Sequence, residues 1–128
     1  MTILDTNFIC SLFNQLDSNH HKAKEIFFAL DDSEKIAIPF IVAAELCISD
    51  DAEKYLHAAR LISGRFSPNS IEDLEFITEL TSNTNNSNSL KANDCLIIAL
   101  CHRLDAELLT FDKKLMRAYA ASLRPQLK

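Results

Sequence analysis

Short apolar runs alternate along the chain with longer segments whose apolar residues recur every three or four positions, a pattern that predicts strands interleaved with helices. Residues 2 to 4 suit a short buried strand, Ile36 to Ile38 a second closed by Pro39, and Leu108 to Phe111 a third. The third shows no period-two alternation, as expected of a strand covered on both faces. Helical spacing fills most of the gaps. Ile26, Phe27 and Leu30 share a face, as do Tyr55, Ala59 and Ile62 in a segment that stops at Gly64, placed as a helix-ending residue. Ile71, Leu74, Ile77 and Leu80 form a broad stripe, and Lys113 to Ala121 is amphipathic. The run Cys95 to Cys101 is apolar all round, and its continuation through His102, Arg103 and Leu104 favours a buried helix over a strand. Thr81 to Ser89 is polar without an apolar anchor and reads as a loop. With no hairpin signals, the expectation is an α/β fold, a three-layer α/β/α sandwich around a short central parallel sheet.

Length and composition narrow this further. The 128 residues are expected to form a single domain spanning residues 1 to 128, and a chain of this size buries roughly two thirds of its unfolded surface. Hydrophobic residues make up 48% and charged ones 24%, with a mean hydropathy of -0.01, values of an ordinary globular domain. No apolar run approaches the roughly 18 residues of a membrane span. The first residues carry Asp5 and Asn7 and no basic leader, so they do not read as a signal peptide; a cytoplasmic protein is expected. Cys10, Cys47, Cys95 and Cys101 lie among apolar neighbours without zinc-ligand spacing and read as reduced core residues. A single glycine excludes phosphate-cradling glycine loops.

The formal charge of -5 argues against binding nucleic acid through a broadly basic surface. Its distribution is uneven, however. From Asp112 onward, Lys113, Lys114, Arg117, Arg124 and Lys128 face one acid, leaving eight basic and seventeen acidic residues in the first 111. A local basic rim beside an acidic centre is compatible with that asymmetry.

Asp5, Asp94 and Asp112 each precede a helical segment, and each has an ordinary reading as a helix N-cap. Asp5 and Asp112 also follow short strands, which places them at the carboxyl edge of a parallel sheet, where open α/β folds keep their sites. Glu45 has no such cap reading. In "PFIVAAELCI" it falls on the stripe formed by Ile41, Ala44 and Ile48, where it is either buried with a partner or reaches to water from the margin. If the four acids converge, each close pair repels by about 4 kcal/mol at an effective dielectric of about 20. A cation must offset this. Oxygen ligands without His or Cys suit Mg²⁺ or Mn²⁺, ions that bind phosphates and promote phosphodiester hydrolysis.

Four fragments in this order, "LDTN", "AAEL", "NDCLIIAL" and "LLTFD", resemble the PIN-domain ribonucleases, and the compact length is similar to the VapC toxins of bacterial toxin-antitoxin pairs. The pattern runs from Asp5 to Asp112. The resemblance implies a PIN-like fold and an acidic pocket of Asp5, Glu45, Asp94 and Asp112 that holds Mg²⁺ or Mn²⁺ for cleavage of RNA. It also implies that Thr110, in the T-x-D of "TFD", positions carboxylates or metal-bound water. Thr6 and Asn7 are expected to shape the turn. A homodimer and a cognate antitoxin that blocks the pocket follow from the same resemblance. The chain departs from the family pattern in its Asn-rich loop before Asp94 and in the short "SLRPQLK" end, where the family often adds a strand. Net acidity leaves Lys113, Lys114 and Arg117 near Asp112, with Lys91 before Asp94, as the basic residues open to RNA contact, and an ordinary solvated helix face explains them at least as well.

Two other classes compete. A catalytically silent PIN-like module would use the same fold only to bind a partner protein. A haloacid-dehalogenase-like phosphatase also starts with an acid-tipped strand, but needs a second Asp where this chain has Asn7; a response-regulator receiver would leave Glu45 and Asp94 without a role. His20, His21, His57 and His102 read as surface or cap residues.

Overall fold

A computed structural model of the chain describes residues 1–62, 65–82 and 90–123. Gly64, most of the polar loop and the last five residues of "SLRPQLK" lie outside the described residues. The elements run β1 (Thr2–Leu4), α1 (Thr6–Phe13), α2 (His20–Phe28), β2 (Ile36–Pro39), α3 (Phe40–Cys47) and α4 (Ala52–Ile62). They continue with β3 (Phe66–Ser67), α5 (Ile71–Ser82), α6 (Ala92–Arg103), β4 (Glu107–Leu109) and α7 (Lys113–Ser122). The strands form one parallel sheet in the order β3-β2-β1-β4, and with helices on its faces this is the expected three-layer α/β/α arrangement.

The central strand follows from its composition. Ile3, Leu4, Ala37 and Ile38 are wholly buried, and the one polar side chain of β1, buried Thr2, keeps a partner in Glu34 at 3.1 Å. β2 ends at Pro39, which has no amide to continue a ladder and whose dihedrals lead directly into α3. The α6 prediction holds: Cys95 and Ile97 to Cys101 are all buried, so this helix is the core of one layer. It ends in a tight reversal. Asp105 takes a positive φ of 51°, and Ala106 N–H returns to the Cys101 carbonyl at 2.8 Å, a helix-terminating bond pattern in which glycine is the usual residue at the left-handed position.

Several sequence expectations are corrected. β3 was not anticipated, because two residues carry no periodicity. β4 begins at Glu107 and ends at Leu109, so Thr110 and Phe111 lie beyond the ladder. α5 extends through Thr81 and Ser82, which had been assigned to the loop. The α5 stripe is only half right: Leu80 packs against the core, whereas Ile71 and Leu74 face solvent. In α3 the stripe is misplaced. Ile48 is 86% exposed, and the helix rests on Val42 and Leu46 instead. Cys47 is exposed, unlike the buried Cys95 and Cys101. Among the described residues no helix is long and apolar enough to cross a membrane.

Candidate active site at the carboxyl edge of the sheet

The chain crosses from β1 outward to β2 and β3, then returns to the far side of β1 as β4. The reversal opens a crevice between the carboxyl ends of β1 and β4, the place where such sheets hold ligands. Asp5 sits at the end of β1 in that crevice, 7% exposed. Its N–H continues the ladder to the Leu109 carbonyl at 3.0 Å, and its own carbonyl accepts from Ile9 N–H to start α1. Both expected roles are therefore present in one residue: Asp5 is an N-cap and also a carboxylate at the sheet edge.

The Asp5 carboxylate is held at both oxygens. Oδ1 accepts from Thr6 N–H at 2.8 Å, and Oδ2 accepts from the Thr110 hydroxyl at 2.7 Å. A carboxylate oxygen has two acceptor positions, so each keeps one for a further partner. Thr110 Oγ1 in turn accepts from Asp112 N–H at 3.0 Å. Asp112 caps α7: its Oδ1 takes Lys114 N–H at 2.9 Å and Leu115 N–H at 3.1 Å. Asn7 closes the turn as expected, with Oδ1 accepting Phe111 N–H at 2.9 Å and lying 3.3 Å from Thr110 Oγ1.

Asp94 is a correction to the capping picture. Lys91 occupies the cap of α6, and Asp94 stands in the first helical turn, where a carboxylate faces the positive end of the helix dipole. Glu45, half-buried on α3, is neither capped nor salt-bridged among the described residues. The buried Thr6 hydroxyl lies near it, outside good hydrogen-bond geometry yet close enough to favour its ionised form.

Electrostatics tie these groups to one region. Burial pushes the Asp5 carboxyl above the ordinary carboxylate value; hydrogen bonds from Thr110 and Thr6 oppose the shift, and the charges of Asp94 and Asp112 add to it. Burial likewise raises Glu45, opposed by Thr6 and reinforced by Asp5 and Asp94. Asp94 is raised by burial and then by Asp112, with Lys114 and Lys91 pulling the other way. Asp5 thus feels the charges of Asp94 and Asp112, Glu45 those of Asp5 and Asp94, and Asp94 that of Asp112. They do not close on a point: among the described residues no three His, Cys, Asp or Glu side chains lie close enough to hold one ion between them. This donor set, all oxygen and partly desolvated, fits a dication that retains much of its water, as Mg²⁺ does, better than one caged by protein.

Sequence reading missed a second carboxylate. Asp73, 1% exposed, meets Arg103 Nε at 2.9 Å, Asn69 Nδ2 at 2.8 Å and Ser70 N–H at 3.0 Å. The signal was the S-x-x-D of Ser70 to Asp73, which opens α5 as the carboxylate half of a capping box. Burial raises this carboxyl, yet the bonds from Arg103, Asn69 and Ser70 outweigh burial and leave it below the ordinary value. His102 is half-buried, stacked on Phe76 with ring centres 4.5 Å apart, and its Nε2 lies 2.8 Å from Ser122 Oγ. Ser122 gives its proton to the Tyr119 carbonyl, so it accepts from His102. That is the reverse of a base activating a nucleophile.

The fold is an open parallel α/β sheet with Asp5 directly after β1 and Asp112 shortly after β4, at the carboxyl edge where such folds keep their sites. Residues 2–121 match the family model of the PIN domain. The chain belongs to the PIN-domain family. Among solved structures it is similar to Mycobacterium tuberculosis VapC20, a toxin that cleaves the sarcin-ricin loop. That match has a TM-score of 0.71 at 16% identity and covers 92% of this chain and 95% of that one. It is also similar to VapBC2 from Rickettsia felis, solved bound to a DNA fragment from its promoter, with a TM-score of 0.62, 21% identity and coverage of 91% and 92%. No curated protein matches the chain by sequence.

Proposed function

We propose that the chain is a metal-dependent endoribonuclease and the toxin of a toxin-antitoxin pair. In this reading it is a cytoplasmic protein acting as a homodimer and restrained by a cognate antitoxin. The observation that carries it is Asp5: a carboxylate almost wholly buried at the topological switch point, oriented by Thr6 and Thr110 and facing the charge of Asp94 and Asp112. Helix capping accounts for Asp5 and Asp112 but not for Glu45 or Asp94, and a bound cation would offset the repulsion among the four when they are ionised. The similarity in fold to VapC20, a toxin that cleaves the sarcin-ricin loop, and to VapBC2 supports the same reading.

Asp5, Glu45, Asp94 and Asp112 would hold Mg²⁺ or Mn²⁺, which when bound supplies water activation and steadies the leaving oxygen of a phosphodiester. The chain's own groups set the stage. Thr110 and Thr6 fix the plane of the Asp5 carboxylate, and Asp112 presents its second oxygen because its first is committed to the α7 amides. Lys91 at the α6 cap and Lys114 in the first turn of α7 are exposed and in no salt bridge recorded among the described residues. Both lend positive charge beside Asp94, which is where an RNA backbone would need it in an otherwise acidic protein.

That no three acids surround one point among the described residues favours a second reading, a PIN-fold module that binds a partner without cleaving RNA. Total cellular RNA separates the two. Wild-type protein is expected to cut it only with Mg²⁺ or Mn²⁺ present, at defined mapped ends, and Glu45→Ala is expected to lose most of that cleavage. Cleavage that is absent, or equal with and without EDTA, would favour the silent module or a contaminating nuclease respectively.

A further inference from the structure

Asn7 was expected only to shape a turn, but its partners lie at the far end of the chain. Residues 110 and 111 join the end of β4 to the cap of α7, beyond the last ladder pairing of β1 with β4, so their backbone groups have no strand partner. Phe111 N–H would be left without one but for Asn7 Oδ1, 2.9 Å away. The donor settles the amide's orientation, because only the oxygen can face an N–H. One residue further along α1, Phe8 stacks on the Phe111 ring with centroids 5.3 Å apart and planes inclined by 18°. Successive residues of α1 thus grip the same loop residue, one by its backbone and one by its ring.

What that loop residue neighbours gives the grip its meaning. Thr110 precedes it, and its hydroxyl has a single proton, given to Asp5 Oδ2 at 2.7 Å. Thr110 Oγ1 itself accepts Asp112 N–H at 3.0 Å. Fixing the Phe111 amide fixes the peptide plane that carries Thr110, hence the reach of its hydroxyl toward Asp5 and the start of α7 at Asp112. We propose that Asn7 is a positioning residue: its amide oxygen holds the β4 to α7 loop so that the Thr110 hydroxyl reaches Asp5 Oδ2. The proposal rests on the nuclease reading for its functional consequence. Asn7 itself touches no reacting group in this scheme and acts through Thr110.

A residue with this role has a signature that a merely structural one lacks. Displacing catalytic groups by about 1 Å costs on the order of a hundredfold in rate, whereas substrate affinity set elsewhere is untouched. Asn7→Ala is therefore expected to lower kcat by about 30-fold on an RNA oligonucleotide, with KM within about twofold of wild type. Because the effect passes through Thr110, the Asn7→Ala/Thr110→Val double variant is expected to be no more than about twofold slower than Thr110→Val alone. Hydrogen exchange provides a readout independent of activity. The Phe111 amide is expected to exchange faster in Asn7→Ala while the Ile3 and Leu4 amides keep wild-type protection, which also shows that the variant is folded. Unchanged Phe111 exchange, wild-type kcat, or losses that multiply in the double variant would each overturn the proposal. Should wild-type protein cleave no RNA at all, the nuclease reading fails, and Phe111 exchange alone still decides whether Asn7 holds the loop.

Discussion

Asp5→Asn is expected to lower RNA cleavage by about a thousandfold or more while leaving the protein folded and, in EDTA, at least as stable as wild type. The loss is large because Asp5 is the most enclosed of the four acids and the one to which Thr110 is bonded, and groups that act as a unit lose most of their effect when one is removed. The stability expectation follows from linkage. Burial holds the Asp5 carboxyl above its ordinary value of 3.8, so the folded state binds its proton more readily than the unfolded state does. Its favourable contribution is complete below pH 3.8 and is lost as pH rises through the higher folded-state value. At neutral pH the ionised group therefore weakens the fold, and a neutral amide removes that burden while keeping one of the two acceptors, with the Thr110 hydroxyl turning to accept from the new NH2 or to donate to Asn7 Oδ1. Glu45 and Asp94 are raised for the same first reason, burial. Thermal melting beside a cleavage assay checks the pair of outcomes; an Asp5→Asn protein that cleaves normally, or that is strongly destabilised in EDTA, contradicts them.

Asp73→Ala is expected to do the opposite, lowering stability while sparing the chemistry. It removes the only carboxylate paired with Arg103 among the described residues, the bond to Asn69 and the cap of α5. Breaking a buried pair from one side commonly costs 3–5 kcal/mol, and the Arg103 side chain, 32% exposed, can turn to water and recover part of this. A loss of about 3 kcal/mol is expected, or roughly 10 °C in Tm for a domain of this size. The pH dependence has the opposite sign to that of Asp5. The folded-state carboxyl titrates below 3.8, so its contribution is complete above that value and disappears as pH falls through the lower one. Acid melts of wild type and Asp73→Asn should accordingly draw together as pH falls below 3.8 and meet only below the lower folded-state value. Cleavage per folded molecule at low temperature should be unchanged, since Asp73 bonds to α6 at Arg103 and to none of the four crevice acids.

These two acids show what could and could not be read from residues alone. Asp5 was legible because a strand ending in a carboxylate before a helix has few arrangements open to it, and a parallel sheet sends both ends of that sentence to one edge. The buried α6 was legible because seven consecutive apolar residues leave no polar face. Asp73 was not, although the capping box announced a helix start. Apolar spacing put Ile71 and Leu74 inside, and the charged partner that draws Asp73 inward lies thirty residues away on another helix, beyond any local period. The misplaced α3 stripe has a similar origin: seven of its eight residues are apolar or alanine, so no face stands out, and packing on the sheet selects Val42 and Leu46. β3 escaped notice because a two-residue strand is defined by its neighbour, Pro39 and Ile38 of β2, and not by its own composition. Within the site, the links through Thr110 and Asn7 span more than a hundred residues and needed the β1 to β4 pairing to become visible.

The claim beneath all of this is that the crevice acids share a divalent cation, and ligand binding to the folded state reports it without any assumption about substrate. Melting the wild-type protein and Asp94→Asn in EDTA and in millimolar Mn²⁺ makes the measurement. The wild type should gain stability with Mn²⁺, and the gain should shrink or vanish in Asp94→Asn. A wild-type melting curve indifferent to Mn²⁺ and Mg²⁺, or a gain equally large in the variant, would mean that these carboxylates do not hold the ion.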